Sequence, residues 1–365
     1  MQIANADPAE PSWAQARQLV LAHGWNALSY QILNPGMHYW FAPDRQAVAG
    51  YIPTRHYRIV AAGPIGAAAR QHSDQADFEA DTIDAGQHAC YFGLEQQELE
   101  HLAADQQGVV LLLGAQPCWD PTHWPHILGR KASLRAQIAR AKHKGVQVAE
   151  WPASTAKQHP ALRQCLAEWL QQRGLPALHF LVEPDLLGSL HDRRVLVASD
   201  SQGVKGFLIA TPIPQRQGWL IEQIIRRPSA PNGTAELLID ATMRQLAAEG
   251  SYYLTFGLAP LSQHAYGYRQ IHPFWVNLIW AWMRIHGQRF YNFRGLDTFK
   301  AKLQPDHWEP IYALIREPRL HPQVLYAITA AFAGQSPLTF GLHTLARAAR
   351  QELRWLKQRI KPLQH

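Results

Sequence analysis

The chain has 365 residues and a mass of 41.2 kDa, which is long for one domain and fits two of medium size. Hydrophobic residues make up 47% and charged residues 17%, a composition that excludes disorder as the main state. The net charge of +7 is concentrated, because residues 130–144 hold six cations and no acid and residues 341–365 carry +5. These two segments predict a polyanionic partner, nucleic acid or an anionic membrane, against the alternative of ordinary solvated helix faces.

The sequence lacks the usual marks of export and of metal binding. No apolar run approaches the roughly 20 residues of a membrane span, and the first residues do not form a secretory signal. Cys90, Cys118 and Cys165 lie far apart without a CxxC pair, which disfavours a disulfide scaffold and fits a reducing cytoplasm. His123 and His126 have no obvious third ligand, so no metal is expected.

The predicted elements of the first 145 residues alternate between helices and strands, which indicates an α/β or α+β fold. Strands are expected at residues 27–33, 39–42, 48–53, 57–62, 89–93 and 108–114. Helices are expected at residues 13–23, 95–104 and 133–144, the last with cations in its final turn and a glycine after it.

The remainder of the chain repeats this alternation. Helices are expected at residues 160–173, 234–249 and 274–286, and strands at residues 195–199, 206–211, 219–225, 252–258 and 311–316. The strand–helix–strand unit of residues 219–258 has the strongest pattern. We therefore predict central mixed sheets with domains at residues 1–145 and 146–318, followed by a helical tail at residues 319–365.

The tail carries two parallel helical stripes. One stripe is apolar and the other is basic, with Trp355 at their boundary. This pattern predicts a basic amphipathic helix in a membrane interface, contacting lipid through Arg350, Arg354, Trp355 and Lys357. The alternative is that its apolar stripe docks on the protein itself.

Residues 290–310 form the densest candidate site. Arg294, Asp297, Lys300 and Lys302 lie within nine residues among aromatic side chains. Arginine grips oxygen atoms in a fork and lysine acts as a point charge, so this set suits phosphate binding. The alternative is a polar loop with an internal salt bridge from Asp297 to Lys300.

Residues 222–234 form a second candidate site, where a Pro-rich turn leads into a helix. The free N–H groups and the dipole of a helix N-terminus favour an anion or a developing oxyanion. Arg226 and Arg227 add charge, and Glu222 precedes the turn, where it could orient an amine or accept a proton. The alternative is an ordinary strand-to-helix connection capped by Asn232.

These segments resemble a known family, whereas no hydrolase elbow, P-loop or dinucleotide fingerprint occurs. Residues 294–296, 299–302 and 308–310 resemble the C-terminal signature of bacterial phosphatidylglycerol lysyltransferases, the synthase part of the multiple peptide resistance factor. Residues 230–234 resemble their second signature, in which an acidic residue stands at the place of Glu222. The basic helix of residues 133–146 is similar to one in this family and in the peptidoglycan-bridge aminoacyltransferases, so the resemblance covers nearly the whole chain.

The resemblance implies two tandem GNAT-like acyltransferase domains that move an amino acid, lysine in the family name, from aminoacyl-tRNA to phosphatidylglycerol without a cofactor. It implies catalytic roles for Glu222, Asn232, Gly233, Arg294 and Lys300. It assigns substrate binding to Lys302, Asp297, Arg226, Arg227, Trp308 and Glu309, and tRNA binding to Arg135, Arg140 and Lys144.

Two departures from the family keep alternatives open. The family's full-length members carry a transmembrane region before the synthase that this sequence lacks, so we expect a cytoplasmic protein that reaches lipid from the inner membrane surface. Ile225 stands where the family's turn has an arginine, which leaves the transferred amino acid open. The alternatives are an N-acyltransferase that uses acyl-CoA and a non-catalytic module that binds tRNA or membrane.

Overall fold

The computed structural model describes residues 10–105, 107–172, 179–265, 274–286 and 293–333. Its helices are α1 Pro11–His23, α2 Gln71–Asp84, α3 Gln96–Leu102, α4 Trp124–Arg130, α5 Ala132–His143, α6 Ala153–Gln158, α7 Pro160–Gln172, α8 Thr234–Ala248, α9 Phe274–His286, α10 Phe293–Lys302 and α11 Pro322–Ala333. Its strands are β1 His38–Phe41, β2 Val48–Pro53, β3 Tyr57–Ala61, β4 His88–Leu94, β5 Val109–Trp119, β6 Gln147–Trp151, β7 Arg194–Asp200, β8 Gly203–Ile213, β9 Gly218–Arg226, β10 Tyr253–Thr255, β11 Ala259–Pro260 and β12 His307–Ile315.

All twelve strands belong to one mixed sheet. Eleven of them follow the order β1-β2-β3-β4-β12-β5-β10-β9-β8-β7-β6, and β11 pairs with β5 outside this path. The pairs β3–β4 and β9–β10 are parallel, whereas the other pairs are antiparallel. This arrangement confirms the predicted α/β class.

Residues from both sides of position 145 share strands and cores. Strand β12 lies between β4 and β5, and α5 packs on α8 through a core that includes Ile138 and Leu238. A separate core on the other part of the sheet joins α1, α9 and α11. Strand pairing and core packing thus cross the predicted boundary at residue 145. The division into domains at residues 1–145 and 146–318 stays a prediction.

Several segments differ from the elements predicted for them. Residues 252–258 were predicted as a strand, but β10 ends at Thr255. Residues 27–33 are not a strand, because Ser29–Leu33 forms a 3-10 helix that begins where the Asn26 side chain accepts the N–H of Leu28 at 2.6 Å. Residues 293–302 form helix α10 where the alternative was a polar loop. In the predicted tail, residues 322–333 form α11, whereas Arg350, Arg354, Trp355 and Lys357 lie outside the described residues.

Candidate active site

The parallel strands β9 and β10 pair over a short length and then separate. The register joins Tyr253 to Gly218 and Thr255 to Leu220. Beyond this point β9 continues to Arg226, while the chain after β10 leaves β9, stays beside β5 and pairs with it again through β11. Ligands of open α/β sheets bind outside the carboxyl ends of parallel strands, so this separation is the candidate site.

Glu222 lies at this separation as the extra residue of a β-bulge. In the β8–β9 ladder Ala210 pairs with Ile221 and Ile209 pairs with Gln223, so Glu222 has no partner of its own. A bulge of this kind redirects a side chain and is common beside active sites.

The carboxylate of Glu222 is held by two buried donors. Nε of Arg193 donates to it at 2.9 Å, and the Gln31 side-chain amide donates to its other oxygen. The side chains of Arg193 and Glu222 are 1% and 8% exposed. Arg193 also donates to Asn34 Oδ1 at 2.8 Å and to the Ser189 carbonyl at 2.6 Å. The pair therefore ties the bulge to the 3-10 helix Ser29–Leu33, and a role of Glu222 toward substrate stays a prediction.

Helix α8 begins against the backbone of α5. Gly233 is its N-cap with φ +95°, and a Cβ there would lie 1.9 Å from the Gln137 carbonyl oxygen. Only glycine fits both the backbone conformation and the contact. Asn232 is exposed and does not cap the helix, so the alternative of an Asn232 cap is wrong.

The two arginines after β9 differ in their surroundings. Arg226 is exposed, and no ion pair forms to it within the described ranges. Arg227 is half-buried and forms an ion pair with Glu168 of α7 at 3.2 Å. Arg226 is thus the one of the two whose charge faces solvent.

Most charged side chains of helix α10 bind other groups within the protein. Nζ of Lys300 donates to three backbone carbonyls after β10. Asp297 accepts the hydroxyl of Ser262 at 2.6 Å and, among the described residues, forms no ion pair with Lys300, contrary to the predicted alternative. Lys302 binds Glu236 at 2.9 Å and the Gln137 side chain. Arg294 is exposed, with no hydrogen bond or ion pair to any other part of the described chain.

Trp308 and Glu309 lie on β12, beside the site. Trp308 stacks on His264 with ring centroids 4.1 Å apart. Glu309 accepts Gln116 Nε2 and the Tyr253 hydroxyl, each at 2.8 Å, and pairs with Arg216 at 3.3 Å. Burial opposes ionisation of Glu309, but its hydrogen bonds and the Arg216 charge hold its pKa well below the usual range.

One group within the described ranges has the residue types of a metal site. Ligand atoms of Cys118, His307 and Glu309 lie within 4.8 Å of one another. Both carboxylate oxygens of Glu309 already accept hydrogen bonds, and burial raises the pKa of the Cys118 thiol well above its ordinary value. Among the described residues the Glu309 carboxylate is thus engaged by Gln116 and Tyr253, and the expectation of no metal stays a prediction.

The cations at the C-terminal end of α5 are exposed. Arg140 and Lys144 are exposed, and neither forms an ion pair in the part of the chain that the structure covers. Arg135 is also exposed, but its Nη1 donates to the Leu128 and Gly129 carbonyls at 2.5 and 2.6 Å. Arg135 thus caps the end of α4.

Helix α9 presents an apolar face to solvent. Phe274 and Leu278, one helical turn apart, are 77% and 54% exposed, whereas Val276 is buried in the core shared with α11. None of the described helices has both the length and the apolar character needed to traverse a bilayer.

Sequence reasoning missed the residues that surround Glu222 and Glu309. Gln31 is 191 positions from Glu222, and Arg193 is 29 positions away. Arg216, packed between the rings of Trp25 and Tyr253 at 3.9 and 4.1 Å, was also missed. No local motif marks these residues, because their neighbours come from distant parts of the chain.

Known proteins share this fold. The structure of L-PGS from Bacillus licheniformis is 20% identical, with a TM-score of 0.73 over 91% of this chain and 99% of that one. A C-terminal domain from Agrobacterium fabrum, assigned to a lysylphosphatidylglycerol synthetase, is 22% identical, with a TM-score of 0.72 over 89% of this chain and 98% of that one. At these identities the likeness establishes the fold alone.

Sequence comparison identifies the family. The lysylphosphatidylglycerol biosynthesis bifunctional protein LysX of Mycolicibacterium gilvum is 25% identical over 131 residues, which are 36% of this chain and 12% of that protein. The chain thus spans only a small part of this relative. The family model for the C-terminal region of phosphatidylglycerol lysyltransferase matches residues 17–315. Since that region includes both signature segments and most of the chain, the chain belongs to the phosphatidylglycerol lysyltransferase C-terminal family.

Proposed function

We propose that this protein moves an aminoacyl group from aminoacyl-tRNA to the hydroxyl group of phosphatidylglycerol. The observation that carries the proposal is the family match over residues 17–315, which takes in every predicted site residue outside the tail. The family name favours lysine as the amino acid. Ile225 stands in the place of the family's arginine, so this position bears on which amino acid is transferred.

The chemistry asks little of the protein beyond positioning. An aminoacyl ester is already activated, so the enzyme must align the lipid hydroxyl with the ester carbonyl and stabilise an oxyanion. The first turn of α8 offers free N–H groups beside the separation of β9 and β10, where Asn232 and Gly233 shape the acyl site. Glu222, whose carboxylate is held in place by Arg193, orients the amino group.

The exposed cations form the surface that would bind the tRNA. Arg140 on α5, Lys144 just after α5, Arg226 after β9 and Arg294 on α10 are all exposed. Their charges suit a phosphate backbone, and tRNA binding should weaken as salt increases. Lys302, Asp297 and Arg227 support this surface from inside, because each binds another side chain.

The apolar face of α9 supports contact with lipid. Phe274 and Leu278 would enter the interface between headgroups and acyl chains, which is favourable for apolar and aromatic side chains. We infer peripheral association with the inner face of the membrane. Arg350, Arg354, Trp355 and Lys357 would add cations for anionic headgroups.

A transfer assay tests the proposal. The protein is mixed with phosphatidylglycerol vesicles and tRNA charged with a labelled amino-acid mixture, and the lipid is extracted into organic solvent. We expect label in the lipid that disappears after RNase treatment, and the labelled species names the amino acid. Transfer that survives RNase but needs acyl-CoA would establish the N-acyltransferase instead, and tRNA binding without turnover would establish a binding module.

The lipid half of the proposal has its own variant. Replacing Phe274 and Leu278 together by serine should reduce sedimentation with phosphatidylglycerol vesicles, and it should reduce transfer to vesicles more than transfer to lipid in detergent micelles. Exposed Ile83, on α2, provides the matched control, since Ile83→Ser removes a 68% exposed apolar side chain elsewhere. If the double variant and Ile83→Ser sedimented equally with the vesicles, α9 would not contact the lipid.

A further inference from the structure

The ammonium of Lys300 is fully used by one short stretch of backbone. Its Nζ donates to the consecutive carbonyls of Phe256, Gly257 and Leu258 at 2.8, 2.7 and 3.0 Å. An ammonium group has three N–H donors, so no donor remains for a phosphate. The residue is buried, 3% exposed, which also separates it from a bound tRNA or lipid headgroup.

This stretch of backbone forms one side of the candidate active site. It follows β10 directly, where that strand separates from β9. Gly257 has φ +63°, and its N–H donates to the Thr255 hydroxyl at 3.1 Å. Further along, the N–H of Leu261 donates to the Leu113 carbonyl at 2.9 Å, which fixes the chain on β5.

We propose that Lys300 is a positioning residue, whose ammonium holds residues 256–258 in the conformation that keeps the chain after β10 apart from β9. Three carbonyl oxygens directed at one point repel each other and are costly to bury without a donor. With the cation removed, they must turn toward other donors, which changes the shape of the acyl site. This role differs from phosphate binding, and it rests on the proposed function only for its activity readout.

The protonation state of Lys300 gives the proposal a pH signature. Complete burial lowers the pKa of Lys300 to about 7, although Asp297 on α10 and Cys118 on β5 act in the opposite direction. The neutral amine has two donors and a lone pair, so one carbonyl loses its partner. As pH rises through about 7, the hold on residues 256–258 weakens.

The contribution of Lys300 to the free energy of unfolding changes in the opposite direction, because it increases as pH rises above about 7. Because the pKa of Lys300 is lower in the folded protein than in the unfolded chain, the unfolded chain binds more protons between about 7 and the ordinary value of 10.5. This group therefore makes the folded state more stable as pH rises in that window. Deprotonation of Lys300 would therefore not by itself unfold the protein.

The experiment compares Lys300→Met, Lys300→Arg and the wild type from about pH 6 to about pH 8.5, a range that brackets the shifted pKa. Lys300→Met should lower kcat roughly 10²-fold while KM for aminoacyl-tRNA changes by less than about threefold. Wild-type activity should fall above pH 7 relative to Lys300→Arg, whose guanidinium stays charged. Lys205→Met is the control, because Lys205 pairs with Asp200 at the β7–β8 turn.

A second measurement does not need activity. Hydrogen exchange in peptides that cover residues 256–262 should be faster in Lys300→Met than in the wild type, and faster in the wild type above pH 7 after correction for the intrinsic rate. If Lys300→Met does not fold, the pH dependence of activity and of hydrogen exchange in the wild type and in Lys300→Arg tests the proposal instead.

The outcomes separate this proposal from the proposed function. A raised KM with unchanged kcat in Lys300→Met would make Lys300 a direct phosphate ligand and overturn the proposal, as would unchanged hydrogen exchange. If the wild type transfers no amino acid, the proposed function fails, whereas faster exchange in Lys300→Met still supports the positioning role.

Discussion

Two groups of charged residues in this protein have similar sequence patterns and opposite environments. Glu222, Lys300 and Lys302 are engaged by Arg193, backbone carbonyls and Glu236. Arg140 of α5 and Lys144, which directly follows α5, are exposed instead. We propose that the first group maintains the geometry of the site and that the second binds a polyanion. A family signature can therefore include charged residues whose partners lie inside the protein.

The energetic consequences of the two groups differ accordingly. A buried charge that loses its partner is strongly destabilising, whereas an exposed charge is screened by solvent and contributes little to stability. Stability and salt dependence should thus separate the groups. The predictions below run from the largest expected loss of stability to the smallest.

Glu222→Gln should cause the largest loss. It leaves the Arg193 guanidinium buried without a counter-charge, which costs about 3–5 kcal/mol of unfolding free energy. Urea unfolding measures the loss, and the transfer assay should show a large decrease in kcat. Asp185→Asn is the control, because the Arg163–Asp185 pair is 39% and 46% exposed and contributes at most about 1 kcal/mol. Equal losses in the two variants would contradict the comparison.

Gly233→Ala should cause the next largest loss. The added Cβ would meet the Gln137 carbonyl oxygen at 1.9 Å and force α8 away from α5, at about 2–4 kcal/mol. Gly250→Ala is the matched control, since its φ of +80° is similar and nothing lies within 4 Å of the new Cβ. The control should lose about 1 kcal/mol. Thermal unfolding of both variants measures the difference, and a Gly233→Ala protein no less stable than the control would contradict the close approach.

Replacing Arg140 and Lys144 by alanine should change stability least, by less than about 0.5 kcal/mol per site. The double variant should raise KM for aminoacyl-tRNA, and the slope of log affinity against log salt should fall by about 1 to 2. Arg319→Ala removes an exposed cation after β12 and should leave both values unchanged. If the wild type, the double variant and Arg319→Ala showed the same salt slope, tRNA would not bind at Arg140 and Lys144.

The fold could be predicted where local patterns are strong. The strand Val48–Pro53 and the helix Phe274–His286 have the predicted bounds, because both are apolar and flanked by turn residues. Helix α2 was not predicted, since its sequence is mostly polar and only a few side chains, such as Phe78, are buried. The strand–helix–strand unit of β9, α8 and β10 was predicted and positions the site.

The contacts of the site could not be predicted in the same way. The family resemblance pointed to Glu222 and Lys300, but a sequence does not show which way a side chain points or what fills the space beside it. The partner of Lys300 is backbone, which leaves no trace in residue identity. The bulge at Glu222 depends on the register of β8 and β9, which is fixed only when the sheet forms.

The position of β12 has a consequence for how the protein is made. This strand is among the last described elements in the sequence, yet it fills the middle of the sheet between β4 and β5. A ribosome releases residues 307–315 only after the strands on either side have emerged, so those strands wait with open edges. The signature segment of α10 and β12 therefore completes the sheet and the site in one late step, and a nascent chain shorter than this has neither.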